Sequence, residues 1–331
     1  MPVAAHAPAA LIGEPFLGAR AVASGLLTEN QLRSKVWVRL IRGVYVHKSV
    51  DITDDVRVRA LRLVLPGDAV AMGLLAAWVH GVWSPLPGRQ VPLEVSLPVA
   101  GFGDQHAGQS RRRLTFRTDD AFGEQIGYSK VDGDVVEVDG LAVTSPLRTC
   151  FDLMRERRLV EAVVVADAFL QQGLAHWLLA AYCEDRGRWP GIRATRMAVS
   201  LARPGSRSPG ETRLRMVVVL AGFPEPWINV AVVDEFGNVV GIPDLTIPAA
   251  RPVGLEYDGE YHEEADQQVK DRRRSNRLTT IAGVPLLRYD RVAVAQERRT
   301  IIDEIRRATG LRPTVLLDDG DFWRPSRARA W

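Results

Sequence analysis

Cysteine and lysine are scarce in this chain of 331 residues. Its two cysteines, Cys150 and Cys183, cannot form a disulfide framework or a metal-binding CxxC pair, so we expect a reducing, cytoplasmic location. The longest apolar run, 70–79, is about half as long as a membrane span, and the amino terminus does not resemble a signal peptide. The composition therefore excludes a disulfide scaffold and predicts a soluble protein with no membrane partner.

Charge and hydrophobicity are ordinary, with 46% hydrophobic residues, 25% charged residues and a net charge of +3. These values exclude a disordered chain or a coiled-coil rod, and the length indicates two or three domains. Turn and breaker residues in 203–210 predict a linker. We expect an α+β multidomain protein. It should contain a winged-helix-like module over residues 10–52, a middle α+β structural domain over 53–203, a carboxy-terminal αβββαβ domain over 206–310 and a tail over 311–331.

The amino-terminal stretch 16–48 is basic, with six basic residues and one acidic residue. A helix is predicted over 16–24, followed by a short helix that Thr28 caps. Residues 36–46 then have the pattern of two strands joined at Arg42-Gly43. Two helices followed by a basic hairpin have the outline of a winged helix, although little room for a recognition helix remains before the first strand.

This module resembles the amino-terminal domain of AbiEi-type antitoxins in Gly25-Leu-Leu-Thr28, Gln31-Leu32, Trp37, Arg39-Leu40 and Arg42-Gly-Val-Tyr45. The resemblance implies that the module docks on DNA, since basic side chains neutralise phosphates. The candidate contacts are Arg33, Lys35, Arg39 and Arg42. A small packing module with a solvated basic face is the alternative interpretation.

The middle segment is predicted to be mainly helical over 54–83 and 145–203. Strands are expected between these helices, near 91–97, 113–117 and 134–144. The helix that ends near Gly173 is apolar around most of its circumference, which predicts that it is buried. We interpret this segment as a structural layer without a site of its own.

The carboxy-terminal domain begins at Ser208, whose capping-box spacing with Glu211 predicts a helix through Leu220. Strands are then predicted over 227–233, 239–247 and 252–258, followed by a helix over 263–281 and a strand over 284–289. This element order is αβββαβ.

Three carboxylates are expected on one face of this domain. A turn centred on Ala250 places Asp244 opposite Glu256, with their Cβ atoms about 5 Å apart. Side chains alternate along a strand, so Asp258 shares the face of Glu256 and Leu255 lies on the apolar face. Without basic neighbours in these strands the carboxylates would repel one another, and a divalent cation, Mg²⁺ or Mn²⁺, would relieve the conflict. A charged sheet rim without a metal is the alternative.

Over about 205–300 the chain resembles the domain related to very-short-patch-repair endonucleases, which belongs to the PD-(D/E)xK superfamily. The matching residues are Ile242-Pro-Asp244, Glu256-Tyr-Asp-Gly259, His262, Asp271, Arg274, Gly283 and Leu287-Arg288. The resemblance implies a restriction-endonuclease-like core in which Asp244, Glu256 and the Tyr257 carbonyl bind Mg²⁺. Hydrolysis of a phosphodiester would then use a metal-activated water.

The sequence departs from this superfamily at the motif lysine, because Asp258 follows two residues after Glu256. Lys270 is either a displaced catalytic residue or the i, i+4 partner of Asp266. His262 is a candidate general acid or base, or a surface histidine at a helix start. We assign catalysis to Asp244, Glu256, Asp258 and His262. The further candidates are Glu211, Lys270 and Asp271 near the metal, and Arg274 and Arg277 at the phosphates.

Two functions follow from these patterns. The first is a Mg²⁺-dependent endonuclease acting on double-stranded DNA, with the amino-terminal module as its docking element. The second is a non-enzymatic, antitoxin-like DNA-binding regulator with a protein partner, in which the nuclease-like domain is a degenerate scaffold.

Overall fold

The computed structural model describes residues 7–67, 69–98, 111–116, 121–126, 133–259, 275–312 and 314. Helices and strands are mixed along the chain, which confirms the α+β class. The chain forms two compact units, Met1–Thr149 and Cys150–Trp331, and the breaker run 203–210 lies within the second. No helix in the described part of the chain has both the length and the apolar character needed to cross a membrane.

The first unit begins with short helices and a small three-stranded sheet of order β1-β3-β2. Its elements are the 3₁₀ helix Ala9–Leu11, β1 (Phe16–Leu17), α1 (Gly18–Ala23), α2 (Glu29–Leu32), β2 (Trp37–Ile41) and β3 (Val44–His47). The helix predicted over 16–24 is wrong at its start, because Phe16 and Leu17 pair with β3. Helix α1 can follow directly because Gly18 lacks a Cβ atom, which would lie 2.6 Å from the Tyr45 ring.

A six-stranded sheet of order β7-β6-β5-β4-β9-β8 makes up the rest of the first unit, together with two helices. Its elements are α3 (Asp54–Arg62), β4 (Val70–Ala71), α4 (Gly73–Val79), β5 (Leu93–Pro98), β6 (Arg111–Phe116), β7 (Ala121–Ile126), β8 (Val135–Val138) and β9 (Leu141–Thr144). One apolar core contains Val44 and Val46 of β3, Leu61 of α3 and Val95 of β5. The small sheet and the six-stranded sheet therefore share their packing.

The second unit starts with a helical layer. Its helices are α5 (Pro146–Arg155), which contains the boundary between the units, α6 (Leu159–Gln171), α7 (His176–Glu184) and α8 (Ile192–Leu201). Helix α6 is buried on nearly all sides, which confirms the prediction from its apolar circumference. Its buried Asp167 accepts hydrogen bonds from Thr212 Oγ1 at 3.0 Å and from the Arg203 backbone N–H at 2.7 Å. These bonds tie the expected linker to the helical layer.

The remainder of the second unit contains a four-stranded sheet of order β10-β13-β14-β15 and a two-stranded ribbon, β11-β12. Its elements are α9 (Pro209–Leu220), β10 (Trp227–Ile228), β11 (Val232–Val233), β12 (Val239–Gly241), β13 (Leu245–Ile247), β14 (Val253–Asp258), α10 (275–280), β15 (Leu286–Asp290), α11 (Arg291–Gln296) and α12 (Arg298–Thr309). Strands β14 and β15 are parallel, and β13 is antiparallel to β10 and β14.

Two strands predicted as continuous are interrupted. The strand predicted over 227–233 divides into β10 and β11 because Asn229 adopts φ = 52° and turns the chain. The strand predicted over 239–247 divides into β12 and β13 around Pro243, which has no N–H to donate to a strand partner. The ribbon β11-β12 thereby separates from the four-stranded sheet.

Candidate functional site

The pairing of β13 with β14 follows the register predicted from the turn at Ala250. Leu245 pairs with Leu255, and Ile247 pairs with Val253. The four side chains are fully buried in a core that also contains residues of α9, α11 and α12. The opposite face of the sheet therefore carries Asp244 beside Glu256, as expected from strand alternation.

Asp244 is fixed by backbone contacts on both sides. Its Oδ2 accepts a hydrogen bond from the Tyr257 N–H at 2.9 Å. Its backbone carbonyl accepts one from the Asn229 N–H, also at 2.9 Å. The carboxylate at the start of β13 is thus held against the end of β14 by the main chain.

Glu256 is buried and lies beside a cation. Parallel pairing of β14 with β15 aligns Glu256 with Arg288, and Arg288 Nη2 lies 3.0 Å from Glu256 Oε2. The expectation that the acidic face has no basic neighbour is therefore wrong, because β15 supplies one. In the sequence Arg288 was recognisable only as part of a motif, since the antiparallel register of β13 and β14 contains no information about β15.

Asp258 lies at the exposed end of β14. Its neighbour across the parallel pair is Asp290, whose Oδ1 accepts a hydrogen bond from the Ala293 N–H at 2.8 Å and so caps α11. Within the described ranges, no group of three or more His, Cys, Asp or Glu side chains is placed to hold a metal ion. The structure thus brings Asp244 and Glu256 together and leaves Asp258 at the exposed end of the strand.

Glu211 has the capping position that the sequence predicted. Its backbone N–H donates to Ser208 Oγ at 3.2 Å, and its own Oε2 accepts from the Arg207 N–H at 2.8 Å. The same oxygen accepts from Asn229 Nδ2 at 3.0 Å. Because these donors bind Glu211 Oε2, the carboxylate has a structural role at the start of α9.

Asn229 is the residue at this site that sequence analysis missed. Its side-chain amide donates to Glu211 and to the Gly205 carbonyl, and its backbone N–H donates to Asp244. The one available signal was an asparagine between two apolar residues, because asparagine is enriched at positive φ. Asn229 therefore links the start of α9 to the backbone carbonyl of Asp244, just before β13.

Tyr257 lies between α9 and the acidic face. Its ring belongs to the apolar core, where a Cβ atom at Gly210 would overlap it. Its N–H binds Asp244, as described above. The sequence predicted that Tyr257 contributes its carbonyl oxygen to the metal site. That oxygen belongs to the same residue of β14 as the N–H that binds Asp244.

The predicted basic contacts of the amino-terminal module, Arg33, Lys35, Arg39 and Arg42, are all exposed. Arg33 forms an exposed ion pair with Glu29 at 3.4 Å. Helix α2 has four residues and begins with a capping box between Thr28 and Gln31. The helix before the hairpin is therefore about one turn long, and the hairpin β2-β3 carries Arg39 and Arg42.

The remaining candidates are in or before α10. His262, Lys270, Asp271 and Arg274 lie outside the described residues. Arg277 is exposed on α10. The pKa of Asp234 lies below its ordinary value, chiefly because Asn238 donates hydrogen bonds to it and to a smaller degree because of the charge of Arg277. Arg277 therefore lies near the turn of the β11-β12 ribbon.

Comparison of the chain with known protein families, with curated proteins and with solved structures finds no match.

The chemistry of the acidic face fits a hard divalent cation, because its donors are carboxylate and carbonyl oxygens. A further observation is the hydroxyl of Thr246, which is 2% exposed and has no hydrogen-bond partner among the described residues. Thr246 pairs with Gly254, and by alternation its side chain is on the same face as Asp244 and Glu256. The residues present thus fit a site for Mg²⁺ or Mn²⁺ with its bound water.

Proposed function

We propose that this protein is a metal-dependent phosphodiester hydrolase, and specifically a Mg²⁺-dependent DNA endonuclease. The observation that supports the proposal is the opposition of Asp244 and Glu256 on one face of β13 and β14, in a register that the apolar pairs Leu245–Leu255 and Ile247–Val253 hold in place. Carboxylate oxygens are the donors that Mg²⁺ prefers in proteins.

Asp244 and Glu256 would hold the ion, with the Tyr257 carbonyl as a third oxygen donor. When bound, Mg²⁺ would polarise the phosphodiester and lower the pKa of an attacking water. The Tyr257 N–H keeps Asp244 oriented, because it fixes Oδ2 at 2.9 Å. Asp258 would lie at the solvent side of the site, and His262 would serve as general acid or base.

Double-stranded DNA is the proposed substrate because both units carry exposed basic side chains, and such side chains neutralise phosphates. Arg33, Lys35, Arg39 and Arg42 are exposed in the first unit, and Arg277 is exposed in the second. Arg274 is the neighbouring candidate in sequence. Phosphate contacts of this kind supply most non-specific affinity for DNA and make it sensitive to salt.

A cleavage assay on supercoiled plasmid with Mg²⁺ tests the proposal. We expect nicking by the native protein and loss of at least about 100-fold in rate for Asp244→Asn and Glu256→Gln, since each removes a metal ligand. Glu235→Gln is the matched control, because it changes an exposed acid in the ribbon turn and leaves the acidic face intact. Metal-dependent nicking that persists in both site variants would disprove the assignment.

A DNA-binding regulator is the second candidate function, and one observation favours it. Arg288 already neutralises Glu256 at 3.0 Å, while Asp258 stands in place of the motif lysine. This candidate predicts salt-sensitive DNA binding that depends on residues 16–48, with no cleavage in any divalent metal. A partner protein, as in an antitoxin, would then bind the same chain. Unchanged DNA binding after loss of the basic residues in 16–48 would eliminate this candidate.

A further inference from the structure

The cation beside Glu256 lies between a buried carboxylate and solvent. The Arg288 side chain is 32% exposed, whereas that of Glu256 is 6% exposed. Their contact joins Nη2 to Oε2 across a parallel strand pair, in which both side chains are on the same face. The guanidinium can therefore turn towards a ligand arriving from solvent without any change in β15.

Arg288 is the only basic residue in the four strands of this sheet. Strand alternation gives its face the acids Asp244, Glu256, Asp258 and Asp290. Asp290 Oδ1 accepts the hydrogen bond from the Ala293 N–H that caps α11. Since Asp258 replaces the lysine of the resembled motif, the strands themselves offer one positive group to a substrate, and that group is Arg288.

A second observation on this face also indicates a ligand. The Thr246 hydroxyl is buried and lacks a hydrogen-bond partner in the part of the chain that the structure describes. Its strand position is two residues after Asp244, and it lies opposite Gly254, which is two residues before Glu256. A buried hydroxyl without a partner is unfavourable, and a bound water would satisfy it.

We propose that Arg288 is the phosphate-binding cation of this site and that it changes partner when substrate binds. It holds the Glu256 carboxylate in the metal-free protein, and it contacts a non-bridging oxygen of the DNA backbone when Glu256 takes a metal ion. This inference rests on the proposed hydrolase function. A guanidinium suits the second role because its planar set of N–H donors matches phosphate oxygens.

The exchange has a consequence for metal affinity. Glu256 Oε2 cannot keep its full attraction to Arg288 while it binds a divalent cation, so the two positive charges compete for one carboxylate. Removal of the Arg288 charge should therefore strengthen metal binding, although it weakens binding of DNA. A merely structural Arg288 predicts no such gain in metal affinity when its charge is removed.

Calorimetric titration with Mn²⁺ alone tests the predicted gain in metal affinity. We expect Arg288→Gln to bind Mn²⁺ about fivefold more tightly than the native protein, the size of a typical surface ion pair. The matched control is Arg251→Gln, which changes an exposed arginine in the turn between β13 and β14 and should bind Mn²⁺ like the native protein. Weaker or equal Mn²⁺ binding by Arg288→Gln would overturn the proposal.

Binding of a double-stranded oligonucleotide in Ca²⁺, over a range of salt concentrations, tests the proposed contact between Arg288 and a phosphate. Arg288→Gln should lower the slope of log affinity against log salt by about one, and Arg288→Lys should keep it, because one phosphate contact is lost only in the first. An unchanged slope in Arg288→Gln refutes the phosphate contact. Absence of Mn²⁺ binding by the native protein would instead refute the hydrolase function itself, together with this inference.

Discussion

Arg215 and Asp167 form a buried ion pair that joins α9 to α6, with Arg215 Nη2 3.0 Å from Asp167 Oδ2 and both side chains at most 1% exposed. Burial raises the pKa of Asp167, and the charge of Arg215 opposes that effect. Arg215 also donates to Glu225 Oε1 at 2.8 Å and to the Leu201 carbonyl at 2.9 Å. The helix that leads into the four-stranded sheet is thus fastened to the helical layer by a polar contact.

Removal of one partner should destabilise the second unit strongly. We expect Asp167→Leu or Arg215→Leu to lower the free energy of unfolding by about 3–5 kcal/mol. The first removes the buried partner of Arg215 and leaves it the partly exposed Glu225 as its acidic partner, and the second removes the cation beside the buried Asp167. The double variant should lose less than the sum of the two single variants. Urea unfolding measures these values. Arg213→Gln is the matched control, since its pair with Glu161 is partly exposed and should cost only about 1 kcal/mol.

Alkaline pH should destabilise the protein through its buried thiols. Burial raises the pKa of Cys183 from its ordinary value of 9.0 to about 11. Because the unfolded thiol ionises first, this contribution to stability is complete below about pH 9 and is lost as the pH rises towards about 11.

The corresponding measurement compares the native protein with Cys183→Ala. The fall in the free energy of unfolding between about pH 8 and about pH 10.5 should be smaller in the variant, by up to about 2 kcal/mol. Burial also raises the pKa of Cys150, so part of the fall should remain. An identical pH dependence in the two proteins would show that Cys183 ionises equally in the folded and unfolded chains.

The left-handed backbone of Asn229 predicts which of two substitutions costs more stability. Asn229→Ala loses the side-chain bonds to Glu211 and Gly205 and also strains the backbone at φ = 52°, so it should cost about 2–3 kcal/mol. Asn229→Gly loses the same bonds without that strain and should cost about 1–2 kcal/mol. Thermal or urea unfolding of both variants measures the difference. Equal costs would argue that the backbone conformation contributes nothing.

The basic amino-terminal module predicts the salt dependence of DNA binding. Lys35→Gln combined with Arg42→Gln should lower the slope of log affinity against log salt by about two, since each phosphate contact contributes about one. The control is Arg193→Gln, which removes an exposed arginine of α8 in the other unit. If the double variant and the control behave alike, the module is a packing element with a solvated basic face.

The sequence predicted those parts of the second unit that local chemistry determines. Ser208 caps α9 as expected, and the turn at Ala250 gives the observed pairing of Leu245 with Leu255. The interruption at Asn229 was not predictable from alternation, because a single residue at positive φ breaks the strand without altering the apolar pattern. The ion pair of Arg288 with Glu256 was missed for a different reason, since parallel strands are aligned by a distant crossover.

The first unit shows the same difference between structure that local sequence determines and structure that a distant strand determines. The hairpin of β2 and β3 was predictable because its turn at Arg42-Gly43 is local. The pairing of Phe16 and Leu17 with β3 was not, because both residues fit a helix pattern and only their partner strand makes them extended. Tertiary pairing therefore decided the start of α1 against local propensity.

The parallel contact between β14 and β15 has a consequence for the order in which the chain is synthesised. Glu256 leaves the ribosome before Arg288, and the intervening segment must close as a crossover before the two strands can pair. During that interval the carboxylate does not have the Arg288 guanidinium beside it. The ion pair between Arg288 and Glu256 therefore forms only when the final strand of the sheet arrives.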